Sequence, residues 1–257
     1  MFFNNNINEK NIFNRTCLTI FEKLGSFLYG ISTRILRVCH PEWKARIWSN
    51  RELRKFGDLF CGDIINVSGW DDGDKEGNFY CDYFPNKSSY VISNISGARG
   101  LTGAENEIYL DLSKELPKEL FKQYDVVFNH TVLEHIFDIF KAVENLCNLS
   151  RDIIILIVPF IQEVHWEPGS YFDYWRPTNF ALEQLFSKNG FEILYFSHND
   201  NPAFDVYFFC IASCQPQKWE KIFPPSKKIT VINAPGNAKY QYGRPDWLIK
   251  KIKSLLS

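Results

Sequence analysis

No stretch of these 257 residues stays apolar for long. The longest run, Ile153 to Ile161, falls well short of the roughly 18 to 20 residues that cross a bilayer, so no spanning helix is expected. The Asn-rich start lacks a charged segment followed by an apolar one, and no secretory leader is expected either. Neither sign of charge is in excess: 29 Lys and Arg stand against 30 Asp and Glu, and the net charge of −1 gives no reason to expect a nucleic-acid partner. The 7 cysteines, scattered and odd in number, contain no Cys-x-x-Cys pair, which removes the usual spacing of zinc and dithiol sites. Reduced and mostly buried thiols of a cytoplasmic protein are the expectation. Internal repeats and low-complexity segments are missing too.

What is present argues for one packed core. Apolar residues make up 45% of the chain and aromatics 16%, enough for a single domain of this length to bury a sizeable interior. Charge is uneven, however. Residues 1–57 carry ten Lys and Arg against four Asp and Glu, so a basic front end precedes an acidic body. Within that front end, Phe13, Cys17, Ile20, Phe21, Leu24, Phe27, Leu28, Ile31 and Ile35 recur at helical spacing and predict an amphipathic helix over 12–38, with a break near Gly30 left open. It either packs as a lid on the domain or lies on an anionic membrane surface. A second helix, Arg51 to Phe56, is expected with Ser49 or Asn50 as its cap and Gly57 as its end.

From residue 62 the period changes. Strands are expected at 63–68, 90–95, 107–112, 124–129 and 152–159, the last three nearly continuous in apolar character, as central strands covered on both faces require. A helix over 132–149 turns Leu133, Ile136, Phe140, Val143, Leu146 and Cys147 inward. Another runs from a Thr178 or Asn179 cap to Lys188 and ends at Asn189-Gly190. Strands 191–197 and 205–213 follow as an antiparallel hairpin across 199–202. The result is an α/β fold, a Rossmann-like, doubly wound, mostly parallel seven-stranded sheet with a terminal antiparallel hairpin and an N-terminal helical extension. Its ligand is expected at the carboxyl ends of the central strands. The division expected is an extension over 1–57, a core over 58–215 and a C-terminal extension over 216–257, in which Trp247, Leu248, Ile252 and Leu255 among lysines predict a short amphipathic helix.

Three motifs carry a resemblance. Tyr124-Asp-Val-Val-Phe-Asn-His-Thr-Val-Leu-Glu-His135 is one; Val158-Pro159-Phe160, then His165, then Asp173-Tyr174-Trp175-Arg176-Pro177-Thr178 is the second; Tyr109-Leu110-Asp111-Leu112 is the third. Over about residues 58 to 215 the chain resembles the type 11 group of class I S-adenosylmethionine-dependent methyltransferases, in particular members associated with surface polysaccharide synthesis. The resemblance implies S-adenosylmethionine as cofactor, and O-methylation of a capsule or lipopolysaccharide sugar, precursor or phosphate-type substituent, hence a small-molecule or glycan acceptor. It implies cofactor contacts from Ser68, Gly69 and Trp70 after the first strand, Asn94 after the second, Asp111 after the third, and Asn129 and His130 at the end of the fourth. Where the family has Gly-x-Gly, this chain has Ser68-Gly69-Trp70, and where it has a ribose-binding acid this chain offers Asn94, whose amide can still meet a diol. These departures keep a second reading open, a methyltransferase-like binding protein without catalysis. A nicotinamide-dependent oxidoreductase is the remote alternative, because Gly69, Gly73 and Gly77 lack the Gly-x-Gly-x-x-Gly spacing.

Methyl transfer to an oxygen needs a proton acceptor. His165 is the first candidate, with His130 and His135 beside it; packing roles compete for all three. Glu134 reads as structural, hydrogen-bonded near a helix start. Asp173, Tyr174, Trp175 and Arg176 are candidates for the acceptor, Arg176 as a bidentate anion clamp, with an Asp173–Arg176 ion pair as the competing reading. The acidic stretch Asp71 to Gly77 reads as a solvated turn; it lacks the spacing of a calcium loop, and no metal is expected.

Overall fold

The structure, a computed structural model, describes residues 5–96, 100–101, 103–199 and 205–224, and describes side chains of its first helix only from residue 19 onward. The expected helix at 244–256 and part of the 199–202 turn lie outside the described residues, as do the side chains of Phe13 and Cys17.

The strands are β1 (Cys61–Val67), β2 (Asn86–Asn94), β3 (Glu107–Tyr109), β4 (Tyr124–His130), β5 (Ser150–Ile161), β6 (Glu192–His198) and β7 (Val206–Ser213). They form one sheet in the order β3-β2-β1-β4-β5-β7-β6, parallel from β3 to β5 and antiparallel where β7 joins β5 and β6. The α/β fold with its terminal hairpin is thus the one expected. Alternation along the central strands supplies both faces. Ile154, Leu156 and Val158 of β5 and Phe208, Cys210 and Ala212 of β7 join one apolar cluster. Their neighbours Ile153, Ile155, Ile157, Phe209 and Ile211 join the other, as a period of two demands of a sheet covered on both sides.

The first face is covered by α3 (Ile139–Leu149) and α4 (Asn179–Lys188), the latter capped by the Thr178 side chain. The second receives α2 (Ala45–Arg54) through Ala45 and Leu53, together with Phe60, Tyr80, Tyr83 and Phe84. Among the described residues no α-helix lies between β1 and β4; single 3-10 turns take its place.

Several sequence expectations are corrected. The helix expected at 132–149 begins only at Ile139, because Asp138 is a strong cap: its carboxylate accepts the Lys141 N–H at 3.0 Å. Leu133 to His135 form one separate 3-10 turn, and Phe140, placed inward by the longer register, is exposed. Strand β3 stops at Tyr109. Ser49 and Asn50 are not caps but buried residues inside α2, spending their side chains on tertiary bonds: Ser49 on His130, Asn50 on the Asp74 carbonyl. The Asp71–Gly77 stretch is not a solvated turn. Asp72 and Asp74 are buried, Asp72 accepting from Asn66, Tyr90 and the Cys81 N–H, Asp74 from Tyr83 and the N–H groups of Glu76 and Asn78. Of the described cysteines only Cys147 and Cys210 are buried.

Helix α1 (Asn5–Cys39) runs without a break at Gly30. Its apolar stripe does not pack on the domain: Ile20, Phe21, Leu24, Phe27, Leu28 and Ile35 are all at least half exposed. No helix among the described residues is long and apolar enough to cross a membrane.

Candidate active site

The sheet order reverses direction between β1 and β4, and side-by-side strands whose connections leave in opposite directions open a crevice at their carboxyl ends. A cavity of about 420 Å3 lies there, within the range of small-molecule sites, roughly 300–1,000 Å3. Its lining runs along the sheet edge. Asn94, Ile95, Ser96, Asp111 and Leu112 stand at the β2 and β3 end, Ser68, Gly69 and Trp70 at the middle, and Arg46, Tyr80, His130 and Thr131 at the β4 end; His135, His165 and the 169–172 loop close the outer side.

The loop after β1 is held by its neighbour. The Asn94 amide oxygen accepts the Trp70 N–H at 2.8 Å, while its nitrogen donates to the Trp70 carbonyl at 3.0 Å and to Glu107 Oε1 at 2.6 Å. Both amide protons are therefore spent within the protein, and a ligand meets only the remaining lone pair of the oxygen. Gly69 is required by close approach: a Cβ there would sit 2.5 Å from Asn66 Nδ2, on the amide that anchors Asp72. Ser68 and Trp70 flank it with φ of 58° and 50°, a region costly for residues with a Cβ and often held at functional sites. Trp70 keeps a face toward the cavity, with the Lys75 ammonium 4.5 Å from its ring centroid. Asp111 uses one carboxylate oxygen on Ser113, N–H and hydroxyl both. Asn129 is buried away from the lining, donating to the Val67 carbonyl at 3.0 Å and so tying the ends of β4 and β1.

His130 lies at the base of the β4 end, 8% exposed. Arg46 Nη1 donates to its Nδ1 at 2.9 Å, so the ring proton resides on Nε2, which donates to Ser49 Oγ at 2.9 Å; Ser49 in turn donates to the Arg46 carbonyl at 2.8 Å. Every nitrogen is occupied. Burial, and then the Arg46 charge, hold its pKa well below the ordinary 6.5, so a neutral, fully bonded imidazole supports Arg46 and has no lone pair left for an acceptor. A depressed histidine contributes stability above its unfolded pKa and loses it as pH falls. The stability advantage of wild type over His130→Asn should therefore shrink by about 1.4 kcal/mol per pH unit below pH ~6.5 in chemical denaturation. An advantage unchanged from pH 7.5 to 5 would count against this assignment.

Arg46 was missed by sequence reasoning, as were Ser49, Tyr80 and Thr131. It donates to Tyr80 Oη, His130 Nδ1 and Thr131 Oγ1 at 3.2, 2.9 and 2.9 Å. No carboxylate pairs with it among the described residues, and these three bonds leave two of the five guanidinium N–H groups for a ligand. Its charge stays on at any accessible pH. An anionic group is what such a site accepts.

On the outer side, Glu134 and His135 occupy the 3-10 turn that precedes α3. The His135 Nδ1 donates to the Phe172 carbonyl at 2.7 Å, and its Nε2 lies 3.6 Å from Glu134 Oε1. Glu134 is fully buried, and neither carboxylate oxygen has a hydrogen-bond partner, contrary to the hydrogen-bonded role expected of it. Burial pushes its carboxyl up to about 8. His165 Nδ1 faces Asp173 Oδ2 at 3.1 Å. Its ring meets that of His135 edge to face, centroids 5.0 Å apart, and Tyr171 covers the pair, 4.3 Å from His135.

The remaining acceptor candidates stand behind this pair. Arg176 grips Asp173 with both Nη atoms, at 2.5 and 2.6 Å, and reaches the Trp175 and Glu163 carbonyls. Asp173 also accepts the His165 N–H at 2.9 Å. Burial alone would raise the Asp173 carboxyl; Arg176 and His165 outweigh it and hold it low. Trp175 donates to the Ile136 and Phe137 carbonyls, and the Tyr174 N–H donates to the Glu134 carbonyl. Asp173, Trp175 and Arg176 thus bind the loop to itself and to the 3-10 turn, while the Tyr174 ring is exposed. None of the four lines the cavity.

The residues of the cavity fit an S-adenosylmethionine-type molecule. Arg46 suits an α-carboxylate, Asp111 a hydroxyl or amine, and Ile95, Leu112 and Trp70 an aromatic base.

No family model matches the chain, and no curated protein does. Solved structures of similar fold include the magnesium protoporphyrin IX methyltransferase of Synechocystis PCC 6803 with bound SAM, at 14% identity over 65% of this chain and 78% of that one, TM-score 0.44. The 1,6-didemethyltoxoflavin-N1-methyltransferase of Burkholderia thailandensis is 13% identical over 75% and 89%, TM-score 0.45. The [4+2]-cyclase SpnF is 11% identical over 63% and 79%, TM-score 0.47. Likenesses at this level carry no statement about activity, and function has to be argued from the site.

Proposed function

We propose that this chain is an S-adenosylmethionine-dependent O-methyltransferase acting on a surface-glycan sugar, precursor or phosphate-type substituent. The observation that carries the reading is the course of a single cavity from Asp111 at the β3 tip, past Trp70, to an Arg46 guanidinium with no carboxylate partner among the described residues, with His135 and His165 on its outer side. That succession matches a nucleoside, a sulfonium and a carboxylate in line, with room for an acceptor beside the sulfonium. The cofactor supplies an electrophilic methyl group. This chain's residues orient it, exclude water through Tyr171 and Phe172, and take the acceptor proton. His165 is the residue for that task, since Asp173 holds its Nδ1 proton and leaves Nε2 as the accepting nitrogen. The glycan assignment draws on the family resemblance and on the exposed aromatic ring of Phe172 at the cavity's rim, a face on which a sugar ring can stack.

Calorimetric titration with S-adenosylmethionine and S-adenosylhomocysteine tests the cofactor assignment, and transfer of labelled methyl to nucleotide-sugar and phosphorylated glycan precursors tests the acceptor. The competing reading, a binding protein without catalysis, is favoured by the two spent protons of Asn94. It stands if neither nucleoside gives heat at high micromolar concentration.

The same reading places the protein in the cytoplasm, at the inner membrane face, with the exposed stripe of α1 resting on anionic lipid beside Lys23, Arg34 and Arg37. Vesicles containing anionic lipid should co-sediment the full chain but not a version beginning near His40, which loses α1 and keeps α2. Equal sedimentation of both would remove the membrane assignment.

A further inference from the structure

We propose that Glu134, His135 and His165 form a binding site for a divalent first-row transition cation, open on its cavity side to an oxygen of the acceptor. One ligand atom from each residue lies within 4.8 Å of the other two. Metal–ligand bonds of about 2.0–2.2 Å allow ligand atoms to stand up to about 4.2 Å apart; a small turn of the His165 ring, the most exposed of the three, closes the difference.

Three observations point independently to a cation. Glu134 is fully buried with both oxygens unpartnered, and a buried carboxylate without donors calls for a cation or a proton. The nearby Arg176 does not answer that need, because Asp173 already neutralises it bidentately. Each imidazole, moreover, is already oriented by a partner at its other nitrogen: His135 Nδ1 by the Phe172 carbonyl, His165 Nδ1 by Asp173. Metal-bound histidines show this outer arrangement almost without exception, since it fixes the tautomer that presents Nε2. Finally, two imidazoles and one carboxylate on one side of an open space form the facial set that leaves positions free for substrate oxygen. Imidazole donors favour zinc, iron(II), cobalt(II) or nickel(II) over magnesium or calcium. From sequence no metal is expected, and the acidic Asp71–Gly77 stretch is set aside; these three ligands come from the β4 exit and the loop after β5.

The inference rests on the proposed function only for the acceptor oxygen that would complete the coordination. There, with a cation bound, both Nε2 atoms are ligands and neither can take the acceptor proton; the cation then stands in for the His165 base of the metal-free site, acidifying the oxygen so that its proton passes to solvent as the O–CH3 bond forms and the sulfonium S–CH3 bond breaks.

Full-length protein stripped with chelator and titrated with Co2+ should develop visible ligand-field bands that saturate at one equivalent. His135→Ala and His165→Ala should each abolish them, with far-ultraviolet circular dichroism and melting retained. Asp173→Asn, which keeps all three ligands and loses only the outer carboxylate, should weaken Co2+ about 10- to 100-fold. Absence of a saturable band in wild type, or bands unchanged in both histidine variants, overturns the site. A parallel titration of the metal-free protein with S-adenosylhomocysteine separates the two proposals: heat there without a cobalt band removes the cation site alone, and a cobalt band without heat keeps the cation site and removes the cofactor.

Discussion

Arg46→Met weakens S-adenosylhomocysteine binding by about 10- to 100-fold, the range expected when a hydrogen-bonded charge contact of roughly 1.5–3 kcal/mol is removed. The side chain has donors to spare after Tyr80, His130 and Thr131, and among the described residues no carboxylate pairs with it. Methionine keeps most of the stem that fills the space between Tyr80 and His130, so the loss reports charge and hydrogen bonding rather than volume. The control is a ligand without an amino-acid end. 5′-Methylthioadenosine shares the nucleoside and sulfur but has no carboxylate, and its affinity should be the same in wild type and variant when both are titrated by calorimetry. A parallel fall for both ligands would show that Arg46 shapes the cavity without meeting the carboxylate. Arg46→Lys should recover only part of the affinity, because a point charge on a flexible stem cannot hold Tyr80, His130, Thr131 and a ligand together.

The sheet was legible in the sequence because its signals are local. Continuous apolar runs mark β4 and β5 as covered on both faces, and the close succession of β6 and β7 marks the hairpin. The Ser68, Gly69, Trp70, Asn94 and Asp111 positions could be named because they follow strand ends, and all of them line the cavity. What each does there was not legible. Asn94 turns its amide to Trp70 and Glu107, a choice set by a loop 24 residues away in sequence. Arg46 carried no signal at all: in a basic front end it reads as one more surface charge, and only the fold brings it against His130, 84 residues on. The 132–149 helix was drawn too long because its apolar spacing continues through Leu133 and Ile136, while the single Asp138 cap that starts it at Ile139 is a weak mark in sequence. That shortening takes Glu134 and His135 out of the helix and into a 3-10 turn, from which His135 lines the cavity while Glu134 stays buried beside it. Asp72 and Asp74 looked like solvated turn residues because composition cannot tell a buried carboxylate from an exposed one. Their partners Tyr90 and Tyr83 lie 18 and 9 residues further along.

His165→Ala should lower kcat for methyl transfer by about 10²- to 10⁴-fold, the usual contribution of a positioned acid–base group, while affinity for S-adenosylmethionine stays within a few-fold. The split follows from place. His165 lies on the outer side with His135 and Tyr171, away from Arg46, Trp70 and Asp111, which would hold the cofactor. Asp173→Asn tests the arrangement behind it. The carboxylate accepts the His165 N–H at 2.9 Å, faces its Nδ1 at 3.1 Å and binds Arg176 with both oxygens. An amide keeps the size but offers a single oxygen, so imidazole orientation and the Arg176 clamp cannot both be preserved. Its kcat should fall between wild type and His165→Ala, and adding Asp173→Asn to His165→Ala should cost little more, because the carboxylate acts through the imidazole. Equal and additive losses would instead make Asp173 a brace of the loop whose removal disturbs the site independently. A His165→Ala protein that turns over at the wild-type rate would leave His135, its Nδ1 proton fixed by the Phe172 carbonyl and its Nε2 beside Glu134, as the nitrogen that takes the acceptor proton.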